Sequence, residues 1–488
     1  MDLVERDFTS PASLNTILAG LRRASLSISN RLLSIENDAH FIIRVAAAYG
    51  FGEIGIVANE RCGSWYVDPA RKRGSAYFKS TDGHTGAWGF SRRRLNLQVL
   101  DIVGKDGGIL IVDSTRRGKR MPDALSKTIP IWVCVMNRVL FPPDDPSSLA
   151  SGFENDPHLA LYTPPTAVSR SEHAQIESLI PQFSDQLRAL RLDLHALRAK
   201  LGGKPMRCVW ESISQTRKPR RIFGDNAHAV VLVTASLRVT GGEMGGLASS
   251  VASRGQTFTY IQGAADDTEN WACGLTAPLW WAWHDRLLAA ATSSRESEIK
   301  SLVDSIVQKD AQRKHEEQRS VAWLPQAIES TSNTRDSTLT CLIALSTDGA
   351  TDPATWRRSP FSVIAGLGKQ RKSAGRNLRK ALPMLCDIVA DWVADHKNKQ
   401  GDQKRQTGIL LACPTGTDLS VGVALALHCF LLDDDETIRL TMLPQPQSQP
   451  QSLSQSDIQV RMGKIVARMP SANPSRATLQ SVNSFLMD

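Results

Sequence analysis

Gly408-Ile-Leu-Leu-Ala-Cys413-Pro-Thr-Gly416-Thr-Asp-Leu-Ser420 carries an apolar run into a short loop and then into the start of an apolar helix. The run after Gly408 reads as a strand to Ala412, Pro414 and Gly416 as turn-forming residues, and the stretch from about Asp418 to Leu431 as a helix. A strand that passes through a tight loop into a helix is the repeating unit of an α/β fold. The neighbouring sequence repeats the alternation, with a strand over Thr340 to Leu345 and a helix over Ser373 to His396. Two short helices follow, the second entered through Asn473-Pro474, a capping residue with Pro at the first helical position. Gln445 to Gln455 is rich in Pro, Gln and Ser and reads as a disordered loop. Residues 337–488 therefore read as a compact α/β domain.

Working back from that domain, residues 291–336 read as a charged helical linker, because Ser293 to Gln318 carries only sparse apolar positions. Residues 1–290 read as a large mixed α+β domain. In it, Ser13 to Tyr49 has helical periodicity, and Gly108 to Val112, Ile131 to Val135 and Val230 to Val233 read as core strands. Pro142 to Pro157 reads as a surface loop, and His173 to Leu201 as one long helix with Pro181 as its kink point. A chain of 488 residues suits two or three domains of roughly 100–200 residues.

Hydrophobic content of 41% and charged content of 22% exclude a wholly disordered chain, and no apolar run approaches the roughly 20 residues a membrane helix needs. The opening Met1-Asp2-Leu3-Val4-Glu5 lacks the basic and apolar regions of a secretory signal, so the cytoplasm is the expected compartment. The eight cysteines include no C-x-x-C pair, which argues against a zinc ribbon. A net charge of +9 points to a polyanionic partner. The charge is clustered in Arg71-Lys72-Arg73, Arg92-Arg93-Arg94, Arg116-Arg117-Gly118-Lys119-Arg120 and Arg217-Lys218-Pro219-Arg220-Arg221, which favours nucleic acid. No protein partner is evident.

Four stretches carry candidate chemistry. The loop Cys413, Pro414, Thr415, Gly416, Thr417, Asp418, Leu419 and Ser420 resembles the H-C-x-x-G-x-x-R-[ST] loop of cysteine phosphatases, whose backbone N–H groups hold a phosphate at a helix start. Ala412 stands where that motif has His and Leu419 where it has Arg, so a phosphate-binding loop is expected without phosphatase activity. In the second stretch a strand delivers Asp113 to its carboxyl end, followed by Ser114, Thr115, Arg116, Arg117, Lys119 and Arg120. Such a loop suits a phosphorylated ligand or an RNA backbone, with Asp113 orienting a hydroxyl or a cation. The third is Lys79, Ser80, Thr81, Asp82 and His84, polar residues with a candidate general base. The fourth, Asp266-Asp267, suits Mg2+ held through a substrate diphosphate.

Together these stretches resemble the initiator-tRNA (tRNA-Met) 2'-O-ribosyl phosphate transferases of fungi and plants. The likeness rests on Ala39 to Ile42, Cys62 to Tyr66, Ala76 to Thr85, Ile111 to Lys127, Tyr260 to Ala264 with Asp266-Asp267, Cys413 to Ser420, and Asn473 to Arg476. It implies transfer of a phosphoribosyl group from 5-phosphoribosyl 1-pyrophosphate to the ribose 2'-hydroxyl of the T-stem adenosine at tRNA position 64. That mark would exclude initiator tRNA from elongation. It also implies a C-terminal domain resembling dual-specificity phosphatases, and Mg2+ as the companion of the diphosphate donor. Asp113, Asp82 and His84 are then the base or metal candidates, and Lys79 to Thr81 with Ser114 to Arg120 the substrate-binding ones. The other class of function that fits is a non-catalytic tRNA-binding protein with a degenerate phosphatase-like domain.

Overall fold

A computed structural model describes residues 24–50, 55–79, 86–116, 118–142, 159–213, 226–239, 247–253, 256–321, 340–347, 349–368, 371–397, 408–432 and 453–487. The architecture is α/β, in two compact units: residues up to Glu317 without Ser91–Leu95, and the remainder with Ser91–Leu95.

The first unit is built on a five-stranded sheet of β1 (Gly55–Asn59), β2 (Lys72–Ala76), β3 (Gly108–Asp113), β4 (Met206–Ser212) and β5 (His228–Thr234). Its spatial order is β2-β1-β3-β5-β4, and every neighbouring pair is parallel. Every residue of β1 and β3 is buried, which explains why Gly108 to Val112 reads as an unbroken apolar run. The hairpin β6 (Leu247–Ser253) and β7 (Gln256–Ile261) forms a separate antiparallel pair.

Helix α1 (Ile28–Ala48) locks β7 in place through polar side chains that it buries. Ser34 Oγ accepts from Ile261 N at 2.9 Å, and Asp38 accepts from the Tyr260 hydroxyl at 2.9 and 3.0 Å. Arg31 Nη1 donates to the carbonyls of Ala264 at 2.8 Å and Asp266 at 2.9 Å, and its guanidinium lies over Trp271. The turn that carries Asp266 is thus fixed from behind.

Three expectations change here. Ile131 to Val135 is not a strand but part of helix α3 (Ile129–Leu140), which follows α2 (Gln98–Asp106) and has Pro130 at its start. Eleven of its twelve residues are buried, so the run has no polar face to betray a helical period. Between Arg170 and Lys200 there are two helices, α4 (Arg170–Arg188) and α5 (Leu194–Lys200). Pro181 lies inside α4, while the break falls where Arg191 takes a φ of 48° and Asp193 caps the next helix. After the short helices α6 (Thr268–Trp271), α7 (Ala277–Ala282) and α8 (His284–Ser293), the charged segment forms α9 (Glu296–Val321). Rather than standing free as a linker, α9 buries Ile299, Val303 and Ile306 in the core of the first unit. Those positions are four and three residues apart and make one narrow apolar stripe on an otherwise charged helix.

The second unit has a four-stranded sheet in the order β11-β8-β10-β9, with β8 (Thr340–Ser346) parallel to both β10 (Ser362–Gly366) and β11 (Gly408–Ala412). The short β9 (Arg357–Ser359) pairs antiparallel with β10. Helices α10 (Arg371–Lys397), α11 (Leu419–Leu431), α12 (Gln455–Arg468) and α13 (Arg476–Met487) complete it. Of the loop expected at Gln445 to Gln455, residues 445–452 lie outside the described residues, and Gln455 already begins α12 behind a Ser454 capping box.

Candidate functional site

In the first sheet, β2 lies on one side of β1, while β5 and β4 lie beyond β3. The chain therefore departs in opposite directions from the carboxyl ends of β1 and β3. A crevice opens at such a reversal, and open parallel sheets bind ligands there. Arg61 and Cys62 follow β1 at this point, and Asp113 to Arg116 end and follow β3.

Asp113 is fully buried. Its Oδ2 accepts from Asn59 Nδ2 at 2.8 Å, and its Oδ1 accepts from the Ser114 N–H at 2.8 Å and the Cys62 thiol at 3.1 Å. Arg61 Nε stands 3.6 Å from Oδ1. Burial pushes the Asp113 carboxyl up, and Arg61, Asn59 and Cys62 oppose that shift. Both oxygens being occupied in the interior, Asp113 reaches neither a substrate hydroxyl nor a cation. The structure makes it a positioning residue rather than the base or metal ligand its sequence context suggested. Cys62, pushed up by burial and by Asp113, is a protonated donor.

Arg61 extends the network. Its Nη1 lies 3.2 Å from Asp266 Oδ1, and its Nη2 donates to the Ser114 carbonyl. Asp266 Oδ2 is buried and has no hydrogen-bond partner among the described residues, and the same holds for Thr115 Oγ1. Unsatisfied buried polar atoms are rare, and these two lie together at the strand ends where open parallel sheets take polar ligands. Burial raises the Asp266 carboxyl, against Arg61 and with help from Asp113 and Asp267. Gly263 permits the close approach: its φ is +69°, and a Cβ there would come within 2.7 Å of the Thr115 carbonyl.

Gln262, itself buried, shapes the basic loop from beneath. Its Nε2 donates to the carbonyls of Lys119 at 2.7 Å and Arg116 at 3.3 Å, while Oε1 accepts from Gly118 N and Val239 N, each at 3.2 Å. Arg116 and Arg120 are left exposed, and Lys119 pairs with Asp123 at 3.5 Å. Asn59 also bonds Phe78 through both backbone groups, so the exposed Lys79 emerges from a strand end tied to Asp113. Ser80, Thr81, Asp82, His84 and Arg117 lie outside the described residues.

Asp267 is exposed at the start of α6, with a φ of 51°. No three His, Cys, Asp or Glu side chains among the described residues are grouped to hold a metal by themselves. Mg2+ ordinarily needs only one or two carboxylates when substrate phosphates and water complete its shell, and the free Oδ2 of Asp266 beside Asp267 fits that pattern.

Arg61, Asn59 and Gln262 were not singled out in the sequence. Arg61 follows an all-buried strand by two residues and directly precedes the Cys62 to Tyr66 stretch, and that position was the available signal. Gln262 lay within a stretch noted for likeness alone, and nothing local marks a side chain that acts by binding backbone 143 to 146 residues away.

In the second unit, Cys413 to Asp418 connects β11 to α11. The Cys413 sulfur lies 3.1 Å from Ser420 Oγ and 3.6 Å from Thr415 Oγ1. Burial would raise this thiol, but the Ser420 hydroxyl and N–H, the Thr415 hydroxyl and the Asp418 N–H hold it below the usual thiol range. Gly416 has a φ of +66° and open space where a side chain would project. Leu419 is buried in the core of the unit. Asp418 is turned away, accepting from Ser475 N at 2.8 Å and Thr478 Oγ1 at 2.6 Å.

Residues 21–308 match the family description Rit1 N-terminal domain, and residues 362–486 match the Rit1 DUSP-like domain. The chain belongs to the Rit1 family. It is 30% identical to a tRNA A64-2'-O-ribosylphosphate transferase of Saccharomyces cerevisiae over 532 aligned residues, covering 97% of this chain and 95% of the relative. An uncharacterized protein of Schizosaccharomyces pombe is 42% identical over 276 residues, an alignment that spans 57% of this chain and 56% of that protein. No solved structure gives a significant match. Among the described residues, no helix of this Rit1 member is long and apolar enough to cross a membrane.

Proposed function

We propose that this chain modifies initiator tRNA, transferring a ribosyl phosphate group to the 2'-hydroxyl of adenosine 64, with 5-phosphoribosyl 1-pyrophosphate as donor and the cytoplasm as its place of action. The observation that carries this reading is the near end-to-end similarity to the yeast transferase, which spans both units. A binding protein without activity is not favoured.

The strand-end crevice of the first unit is the proposed reaction site. Transfer breaks the bond between the donor's anomeric carbon and pyrophosphate, forms the bond from that carbon to the tRNA 2'-oxygen, and releases the hydroxyl proton. Asp266 and Asp267 would hold Mg2+, which supplies charge compensation to the diphosphate when bound. Arg61 fixes Asp266 and fills the space between it and Asp113. The exposed Arg116 and Arg120, with Arg117, face negative charge on the donor or the tRNA backbone. Asp82 and His84 remain the candidates to receive the hydroxyl proton. The Cys413 loop has no step to perform, because a direct displacement forms no enzyme-bound intermediate.

The test is incubation of the protein with an initiator tRNA transcript and donor labelled in the ribose phosphate. Label should enter wild-type transcript and be absent from a transcript carrying 2'-deoxyadenosine at position 64. Equal labelling of both transcripts, or none of either, overturns the reading.

A further inference from the structure

A second cavity of about 360 Å3 lies in the first unit, between α1, the segment that follows β1, and the α7–α8 corner. The proposed reaction does not use it. Its base is a buried carboxylate shared by two imidazoles: Glu36 Oε1 lies 3.1 Å from His40 Nε2, and Glu36 Oε2 lies 2.8 Å from His284 Nε2. His284 Nδ1 is 3.0 Å from Asp285 Oδ1, so the ring is held from both sides. Trp281 stacks on that ring, with centroids 5.2 Å apart and planes within 12°. Trp281 is fixed in turn by its Nε1, which donates to the Ser64 carbonyl at 3.0 Å.

Each feature selects against a simple ion. Glu36 is already matched by His284, and Asp68 and Asp285 also line the cavity, which disfavours a bare sugar phosphate. A metal is disfavoured because no group of three ligating side chains is arranged for one among the described residues. What remains is an apolar wall including Ile42, Ile43 and Ile56, a rigid stack of two planar rings, and a few polar edges. Arg71, the first residue of the run Arg71-Lys72-Arg73, is the cation that lines the cavity. A flat, neutral ring with polar edges, joined to one phosphate, matches that set. RNA presents such a group when a base leaves its stack, and proteins take unstacked bases on aromatic rings.

We propose that this cavity holds one unstacked nucleobase of the RNA substrate, with the ring continuing the Trp281–His284 stack and a flanking phosphate against Arg71. The proposal rests on the reading that the substrate is a tRNA. It gives the enzyme a grip on its substrate that is separate from the strand-end site.

The test uses adenosine 5'-monophosphate and ribose 5-phosphate as probes on the full chain, measured by calorimetry, beside filter-binding affinity for the initiator tRNA transcript. His40→Trp fills the cavity from a half-exposed position while leaving the Glu36–His284 pair in place, and its thermal midpoint checks that it folds. Arg71→Glu is a second variant, removing the phosphate partner without touching the core. The wild type should bind the nucleotide and ribose 5-phosphate at least tenfold more weakly. Both variants should lose nucleotide binding and weaken tRNA binding at least about fivefold, the low end of stacking on an aromatic ring. Asp266→Asn should bind the nucleotide as wild type does, even where it fails to transfer label. Equal binding of the two probes, nucleotide binding that survives both variants, or unchanged tRNA affinity in both overturns the proposal. Absence of label transfer with the expected nucleotide behaviour would count against the transferase reading and leave the cavity assignment standing.

Discussion

At the end of β3 the chain runs Asp113-Ser114-Thr115-Arg116, and at the end of β11 it runs Cys413-Pro414-Thr415-Gly416. Both are loops at the carboxyl end of a parallel strand, and both place a polar side chain where backbone turns toward solvent. The first keeps hydrogen-bonding capacity unused: Arg61 joins Asp113 to Asp266, yet Asp266 Oδ2 and Thr115 Oγ1 are buried with no partner among the described residues. The second completes itself. Ser420 and Thr415 satisfy the Cys413 sulfur, Asp418 is spent on the start of α13, and Leu419 is core. A motif-like outline alone therefore does not distinguish the two loops. The better guide is whether protein atoms have used up the loop's hydrogen-bonding capacity.

The contrast is broken most severely at Asp266. Asp266→Asn keeps the shape but removes the charge that would meet Mg2+, and transfer should fall by about a hundredfold or more. The Mg2+ concentration for half-maximal activity should rise in the residual activity. Because Asp266 already carries a burial penalty when charged, its thermal midpoint should not drop. A variant with wild-type transfer and wild-type Mg2+ dependence would remove Asp266 from the site.

Gln262→Ala comes next. It strips three hydrogen bonds from beneath the basic loop and a fourth from Val239, leaving the N–H groups of Gly118 and Val239 without that acceptor. Both N–H groups are only part-buried, so the cost in stability stays below the about 1–3 kcal/mol of a fully buried unpaired group, while a displaced loop should lower transfer on the order of tenfold, chiefly through weaker substrate binding. Loss of stability with unchanged Michaelis constants would mean that the loop does not touch substrate.

How far these differences were legible in the sequence depends on whether a residue acts locally. The strands Gly108–Asp113 and Gly408–Ala412, the helix after Asp418 and the missing Arg at Leu419 all show in short windows, because strand period and motif spacing are local properties. Ile131 to Val135 misled because a helix buried all round has no amphipathic signature. The stripe of Ile299, Val303 and Ile306 was obscured by the charges around it. Arg61 and Gln262 were out of reach for another reason: their partners lie 52 to 205 and 23 to 146 residues away, and only the fold brings them together. The same fold that revealed them withdrew Asp113 from direct contact with substrate.

A smaller effect is expected at Gly416. The space in front of it is open, so Gly416→Ala meets no steric block, but a left-handed residue with a Cβ costs about 1–2 kcal/mol. The midpoint of the second unit should fall by a few degrees, and transfer at a permissive temperature should stay within about twofold of wild type. A loss of transfer without a loss of stability would show that this loop binds a ligand after all.

The smallest effect should come from Cys413→Ser, and it sharpens the comparison most. The surrounding N–H groups and hydroxyls, against the opposing effect of burial, hold the Cys413 thiol below its usual range, whereas Cys62 is pushed well above it. A lowered thiol pKa means that the thiolate fraction, and with it the rate of alkylation by iodoacetamide, reaches its plateau at lower pH than for free cysteine. Cys413 should therefore be alkylated in the folded protein while Cys62 is protected, as peptide mass mapping would read. Reactivity of this kind is what a nucleophile requires, so it must be separated from use. Direct displacement at the donor's anomeric carbon forms no covalent intermediate, and the buried Leu419 supplies no charge to stabilise one. Ser replaces the sulfur with a hydroxyl that can still bond Ser420 and Thr415. Transfer by Cys413→Ser, and by wild type alkylated at Cys413, should stay within about twofold of the untreated enzyme. A folded Cys413→Ser protein that binds both substrates yet transfers nothing, or a phosphorylated Cys413 trapped during turnover, would make the second loop a working site and erase the distinction between the two strand ends.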